Sequence, residues 1–164
     1  MKRCKRYKIL IFIIIIVMLT PFRSTFAIEE KNINEKTIVS LIDDIANENA
    51  KLMKLGLEGF DGKVKKKSNI DDLIKNIEAE KEKVTMTIDK LRKIENEKNI
   101  SSADKSKLLE LINIERYHIV SYEKLLEYLR NASIEDDYDL LYSFLLNGTM
   151  AKETLRFVND IVNL

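Results

Sequence analysis

The chain predicts an all-α protein, an antiparallel up-down four-helix bundle following an N-terminal signal peptide. Three observations lead there. Proline is absent after Pro21 and glycine occurs only at 56, 59, 62 and 148, so the turn residues that sheets need are scarce. Apolar residues recur at spacings of three and four along four long segments, the period of a helix with one buried face. The connections after the second and third segments are only a few residues long, which makes successive helices antiparallel neighbours.

The leader comes first. Lys2, Arg3, Lys5, Arg6 and Lys8 precede an unbroken apolar run from Ile9 to Leu19, then Pro21 and the stretch Arg23-Ser24-Thr25-Phe26-Ala27. A basic start, a short apolar run, a helix breaker and small residues before a cut are the parts of a secretory signal. Residues 1–27 are therefore expected to be removed, leaving Ile28 as the first residue of a single domain, 28–164. The apolar run is shorter than the roughly 20 residues a spanning helix needs. An uncleaved anchor extended past Phe22 is the rival reading.

Removing the leader changes the charge. The whole chain has 28 basic and 27 acidic side chains, but six of the bases and none of the acids lie in residues 1–27. The remainder carries a net charge of −5, which gives it no electrostatic reason to bind nucleic acid. Cys4 is the only cysteine and lies before the apolar run. The exported domain thus has no thiol, disulfide or cysteine metal site and must be held by packing.

The first helix is expected over about 34–55, with Ile38, Leu41, Ile42, Ile45, Asn49 and Leu52 on one face. The three glycines that follow, at 56, 59 and 62, read as an irregular, mobile loop over 56–69. The second helix, about 70–98, places Ile70, Leu73, Ile77, Val84, Ile88 and Leu91 together. The third, about 102–131, opens on Ser101-Ser102 with Asp104 in its first turn, where negative charge suits the helix dipole. Its main stripe includes Leu108, Leu111, Ile112, Tyr122 and Leu126. Leu109, Ile114, Val120 and Leu125 fall outside that stripe, so this helix should touch more than one neighbour. The fourth, about 134–163, begins with a capping-box pattern, Ser133-Ile134-Glu135-Asp136. Its stripe passes Gly148 in phase, as one helix, with a kink there unsurprising.

Few features carry chemistry. Glu115 and His118 stand at i, i+3, the spacing used by di-iron bundles, but such sites need that pair twice plus two further glutamates, and the chain has one histidine. On the wheel, Glu115 points close to the core and His118 toward its edge. Glu48 and Glu80 could add carboxylates, though spacing alone does not make them converge. No metal and no cofactor are expected, the carboxylate being read as a boundary residue paired with a neighbouring helix. Phosphate cradles and nucleophile motifs are lacking too. Asn99, Asn131 and Asn147 head glycosylation-acceptor patterns, yet the first two sit where helices end, a sufficient reason for asparagine.

Two surface sites are candidates. Tyr117 and Tyr128, with Ile114, lie opposite the core stripe of the third helix and could form an exposed apolar contact patch. Lys63, Lys65, Lys66 and Lys67 could touch an anionic surface, or simply keep a linker soluble. The expected function is an exported, secreted or cell-surface, non-catalytic bundle acting through a protein or cell-envelope component. A membrane-anchored adaptor or sensor that keeps its leader is the alternative, and a metal-binding or enzymatic bundle comes third.

Overall fold

The computed structural model describes residues 32–65, 69–131 and 137–162. Four helices pack together: α1 (Glu35–Val64), α2 (Ile70–Glu95), α3 (Ser102–Arg130) and α4 (Asp137–Val162). No strand occurs among the described residues. Residues 1–27, the Ser133–Asp136 capping pattern, Lys66 and Lys67 lie outside the described residues. No helix among the described residues is long and apolar enough to cross a membrane.

Each start has a local cause. The Asn34 side chain accepts from the Lys36 N–H at 3.0 Å and caps α1, and the Ser101 hydroxyl accepts from the Asp104 N–H at 3.2 Å and caps α3. Asp104 does more than face the dipole. Its carboxylate accepts from the Ile33 N–H at 2.8 Å, fastening the chain before α1 to the start of α3. Burial works against the charge of Asp104, but the Ile33 N–H, Ser101 and Lys107 outweigh it and hold its pKa below the usual value. Asn99 turns the chain between α2 and α3 at φ 74°, a left-handed conformation that asparagine tolerates.

Contacts fix the topology. Lys51 meets Glu80 and Thr87 meets Glu48 across α1 and α2, so these helices are antiparallel. Lys81 meets Glu123 across α2 and α3. Lys63 meets Asp137 across α1 and α4. Ile33 lies by Asp104 and Lys63 by Tyr128, so α1 and α3 run parallel on a diagonal that closes, while α2 and α4 do not touch among the described residues. The bundle is up-down-up-down. Because α3 packs on all three other helices, it buries residues around most of its circumference, Ile114 and Leu125 included.

The glycine loop expected over 56–69 is corrected. Helix α1 continues through Gly56, Gly59 and Gly62 to Val64, and none of these glycines has a positive φ. Space, not turn geometry, demands the first two. A Cβ at Gly56 would lie 2.3 Å from Phe144 Cζ, and one at Gly59 would press on Leu125 and Leu129 at 3.2–3.3 Å. The Phe144 ring cannot yield easily, since it is 1% exposed and meets Phe60 edge-on at 5.6 Å. Gly148 plays the same part in an unbroken α4, where a Cβ would sit 3.3 Å from Met53 Sδ.

Gly56→Ala is therefore expected to lower stability by about 1–2 kcal/mol, overpacking outweighing a helix-propensity gain of about 1 kcal/mol. Gly62→Ala, whose added carbon would meet only Ile70 at 3.8 Å, should raise stability by up to about 1 kcal/mol. Denaturant unfolding of both variants checks the pair of signs.

Candidate functional site

The core is not one continuous hydrophobic body. One apolar cluster gathers Ile38, Ile42, Ile45, Leu91, Leu108 and Leu155 with their neighbours. A second gathers Leu52, Leu55, Val84, Tyr122, Leu125 and Phe144. Between them lies a polar layer built from Glu48 and Asn49 of α1, Thr87 of α2, and Glu115, His118 and Ser121 of α3. Helical spacing makes it: Glu115, His118 and Ser121 follow each other by three, so they stack along one side of α3. Ser121 donates to the Phe144 carbonyl at 3.2 Å, beside Gly148, which brings α4 close to the layer.

Glu115 and His118 are both 0% exposed, so the histidine lies in the interior and not at the edge of the core. His118 Nδ1 is 2.8 Å from Glu115 Oε2, and Nε2 is 3.1 Å from Asn49 Oδ1. With the Asn49 amide turned carbonyl-first, Nε2 carries the ring proton, and Nδ1 accepts from the Glu115 carboxyl when that group is protonated on Oε2. Glu48, partly buried, accepts from the Thr87 hydroxyl at 3.1 Å. Its other oxygen, Oε2, and Oε1 of Glu115 find no hydrogen-bond donor, although the two carboxyls are close enough to share a proton. One ligand atom each from Glu48, Glu115 and His118 lies within 4.8 Å of the others.

Electrostatics follow from this crowding. Burial, then the bond to Glu115 and its charge, push the Glu48 carboxyl up to about 8, with Thr87 and His118 opposing. Burial pushes Glu115 up to about 7, partly offset by Glu48. Burial drives His118 down to about 4 despite the nearby charge of Glu48, so its ring is neutral at physiological pH. Two carboxyls in one dry site cannot both ionise without a counter-charge, and they titrate as a unit.

The sequence-derived surface sites fare differently. Ile114 is 0% exposed and Tyr128 4% exposed, while Tyr117 is partly buried against the core. These three cannot form an exposed patch, because the side of α3 opposite its main stripe is covered by other helices. Tyr128 packs edge-on to Phe60 at 5.5 Å. Lys63 is not part of a free basic strip either. Its ammonium lies 4.1 Å above the Tyr128 ring, donates to the Tyr128 carbonyl at 2.5 Å and pairs with Asp137 at 2.6 Å. It joins the ends of α1 and α3 to the start of α4. Lys65 is exposed and pairs with Asp61 on its own helix.

Among the described residues, exposed large apolar side chains cluster instead on α4. Tyr138, Tyr142, Leu145, Leu146, Met150 and Phe157 are 41–74% exposed and share the side of α4 opposite Phe144, Ala151 and Leu155. Tyr138 and Tyr142 stack at 6.5 Å. Comparison with protein-family models, curated proteins and solved structures finds no match to this chain.

The raised carboxyls make the folded chain bind more protons than the unfolded one above the ordinary carboxylate range. In metal-free buffer, the stability they contribute is full below their unfolded pKa, 4.5, and is lost as pH rises through about 7 and 8. His118 has the opposite sign: its contribution is present above 6.5 and lost as pH falls through about 4. Two groups outweigh one, so melting temperature is expected to fall as pH rises from mildly acid to mildly alkaline. Glu48→Gln should make that decline shallower. An unchanged slope would show that Glu48 does not titrate with the layer.

Proposed function

We propose that the protein is an exported, non-catalytic helical bundle that works by protein–protein contact through the outer face of α4, with a second copy of this chain as the occupant. The observation that carries the reading is the group of exposed apolar residues from Tyr138 to Met150, with Phe157 beyond Glu153, on a helix whose opposite side already serves the core. Exposed apolar patches of this kind mark interaction sites, and tyrosine is enriched at them.

Charge selects the occupant. On the outer side of α4, Asp139 stands near the start and Arg156 in the second half, where it also meets Glu153 at 3.2 Å, while Asp137 is turned inward to Lys63. Antiparallel pairing of two α4 helices centred on Asn147 and Gly148 brings Arg156 of one copy beside Asp139 of the other. The apolar residues then meet each other in an isologous, self-complementary contact. Parallel pairing would set like charges together. The leader pattern supports export, since a basic start and a short apolar run precede small residues at 25 and 27.

Sedimentation over a micromolar concentration series is expected to show a reversible dimer. Tyr142→Glu or Leu146→Glu should leave monomer with unchanged helicity. Arg156→Glu should weaken the dimer at least tenfold, and adding Asp139→Arg should restore much of it. A wild-type chain that stays monomeric throughout would exclude the second copy. Mass spectrometry of the exported protein should begin at Ile28. An intact Met1–Ala27 segment in the membrane fraction would instead establish the anchored alternative.

A further inference from the structure

We propose that Glu48, Glu115 and His118 form a mononuclear site for a divalent first-row transition-metal ion, held inside the bundle between α1 and α3. The site is separate from the contact face on α4.

Donors and acceptors in the layer do not balance. Three acceptor groups converge: two carboxylates and the Nδ1 lone pair. The Thr87 hydroxyl answers one oxygen of Glu48. Glu48 Oε2 and Glu115 Oε1 are buried without a donor, and the Glu115 side chain is wholly enclosed. Buried polar groups are satisfied with few exceptions, and a carboxylate left unpaired in a dry site is costly. A knot of acceptors calls for a positive species at its centre. Protons satisfy the layer only with both carboxyls neutral. A divalent cation neutralises both.

The donor set narrows the ion. Calcium takes six to eight oxygen ligands, and magnesium keeps most of its water, whereas a nitrogen donor with two carboxylates suits zinc, manganese or ferrous iron. Ligand atoms within 4.8 Å of one another surround a point within about 2.8 Å of each, so a small closing motion reaches the metal–ligand distances of about 2.0–2.2 Å typical of zinc. Glu115 Oε2 already lies 2.8 Å from Nδ1, so Glu115 bound through both oxygens supplies a fourth donor.

The surroundings fit as well. A metal-bound histidine usually donates its other ring N–H to a carbonyl or carboxylate, which fixes the ring and its tautomer. Asn49 Oδ1 at 3.1 Å from Nε2 provides that acceptor, and Thr87 orients Glu48. Glu48 is only partly buried and gives an ion a way in. The site is mononuclear, since a second Glu-x-x-His pair would need a second histidine and the chain has one. Enclosed by two apolar clusters, the ion would pin the diagonal helices α1 and α3 together.

The test uses the full exported protein, stripped with chelator and dialysed, then titrated with Zn2+, and with Co2+ as a spectroscopic probe. Expected are saturation at one equivalent, visible Co2+ absorption of a low-coordinate site, and a rise in melting temperature. His118→Ala and Glu115→Gln should each weaken binding by more than about 100-fold, beyond the 10–100-fold typical of an outer-shell partner, the range expected for Asn49→Leu. Should Glu115→Gln fail to fold, Glu48→Gln at the more open edge reads the same loss. Absence of saturable one-to-one binding, or binding by folded His118→Ala within threefold of wild type, would overturn the site and leave protons as its occupants.

Discussion

Two glutamate carboxylates and one imidazole nitrogen meet at the middle of this bundle, and the rest of the structure is arranged around that meeting. Like charges at close range in a dry interior repel strongly, so the layer cannot exist with both carboxylates ionised and nothing between them. The burial that raises Glu48 and Glu115 also keeps His118 neutral. Water cannot relieve the crowding at Glu115 and His118, which are wholly enclosed. A proton or a cation must.

That requirement also sets the axial alignment of the helices. Asn49 must reach His118, Thr87 must reach Glu48, and both glutamates must face each other. A slide of α1 by one turn would break all three contacts and bury the unpaired groups. Apolar stripes alone tolerate such slides, because one leucine replaces another. Buried polar groups that fix register are well attested in helical assemblies, and here the layer separates two apolar halves that supply most of the burial. Lys63 at one end and Asp104 at the other act as further locks. The glycines let the helices come close enough for the locks to engage. Gly56 leaves room for Phe144, and Gly148 lies against Met53 and Leu52 of α1.

Much of this was legible in the sequence. The four stripes, the helix starts near Asn34 and Ser101, the asparagines at helix ends and the antiparallel order follow from periodicity and local capping. The glycines after Leu55 misled, because glycine serves both turns and close packing and the one-dimensional pattern does not separate the two uses. The helical phase does run on from Leu52 and Leu55 through Gly59 to Phe60, but one aromatic residue among three glycines is too short a signal to distinguish helix from loop. The tyrosine patch failed for a different reason. A wheel with one buried face does not describe a helix with three neighbours, although Ile114 and Leu125 outside the main stripe already signalled the extra contacts. Glu115 was readable as core-facing. Its convergence with Glu48 depends on the relative rotation and height of two helices far apart in the chain, which spacing within either helix does not encode. The apolar outer side of α4 was hidden for a similar reason, since a helix with apolar residues on both sides reveals its core side only once its neighbours are placed.

The most direct test of the central layer is the protonation of the imidazole itself. With one histidine in the chain, the ring nitrogen signals of tag-free protein need no assignment. Long-range nitrogen–proton correlation spectra of the folded, metal-free protein near neutral pH are expected to show a neutral ring with its proton on Nε2 and a bare Nδ1 facing the carboxyls. A proton found on Nδ1 would make the ring a donor to Glu115 and would contradict the account at its root.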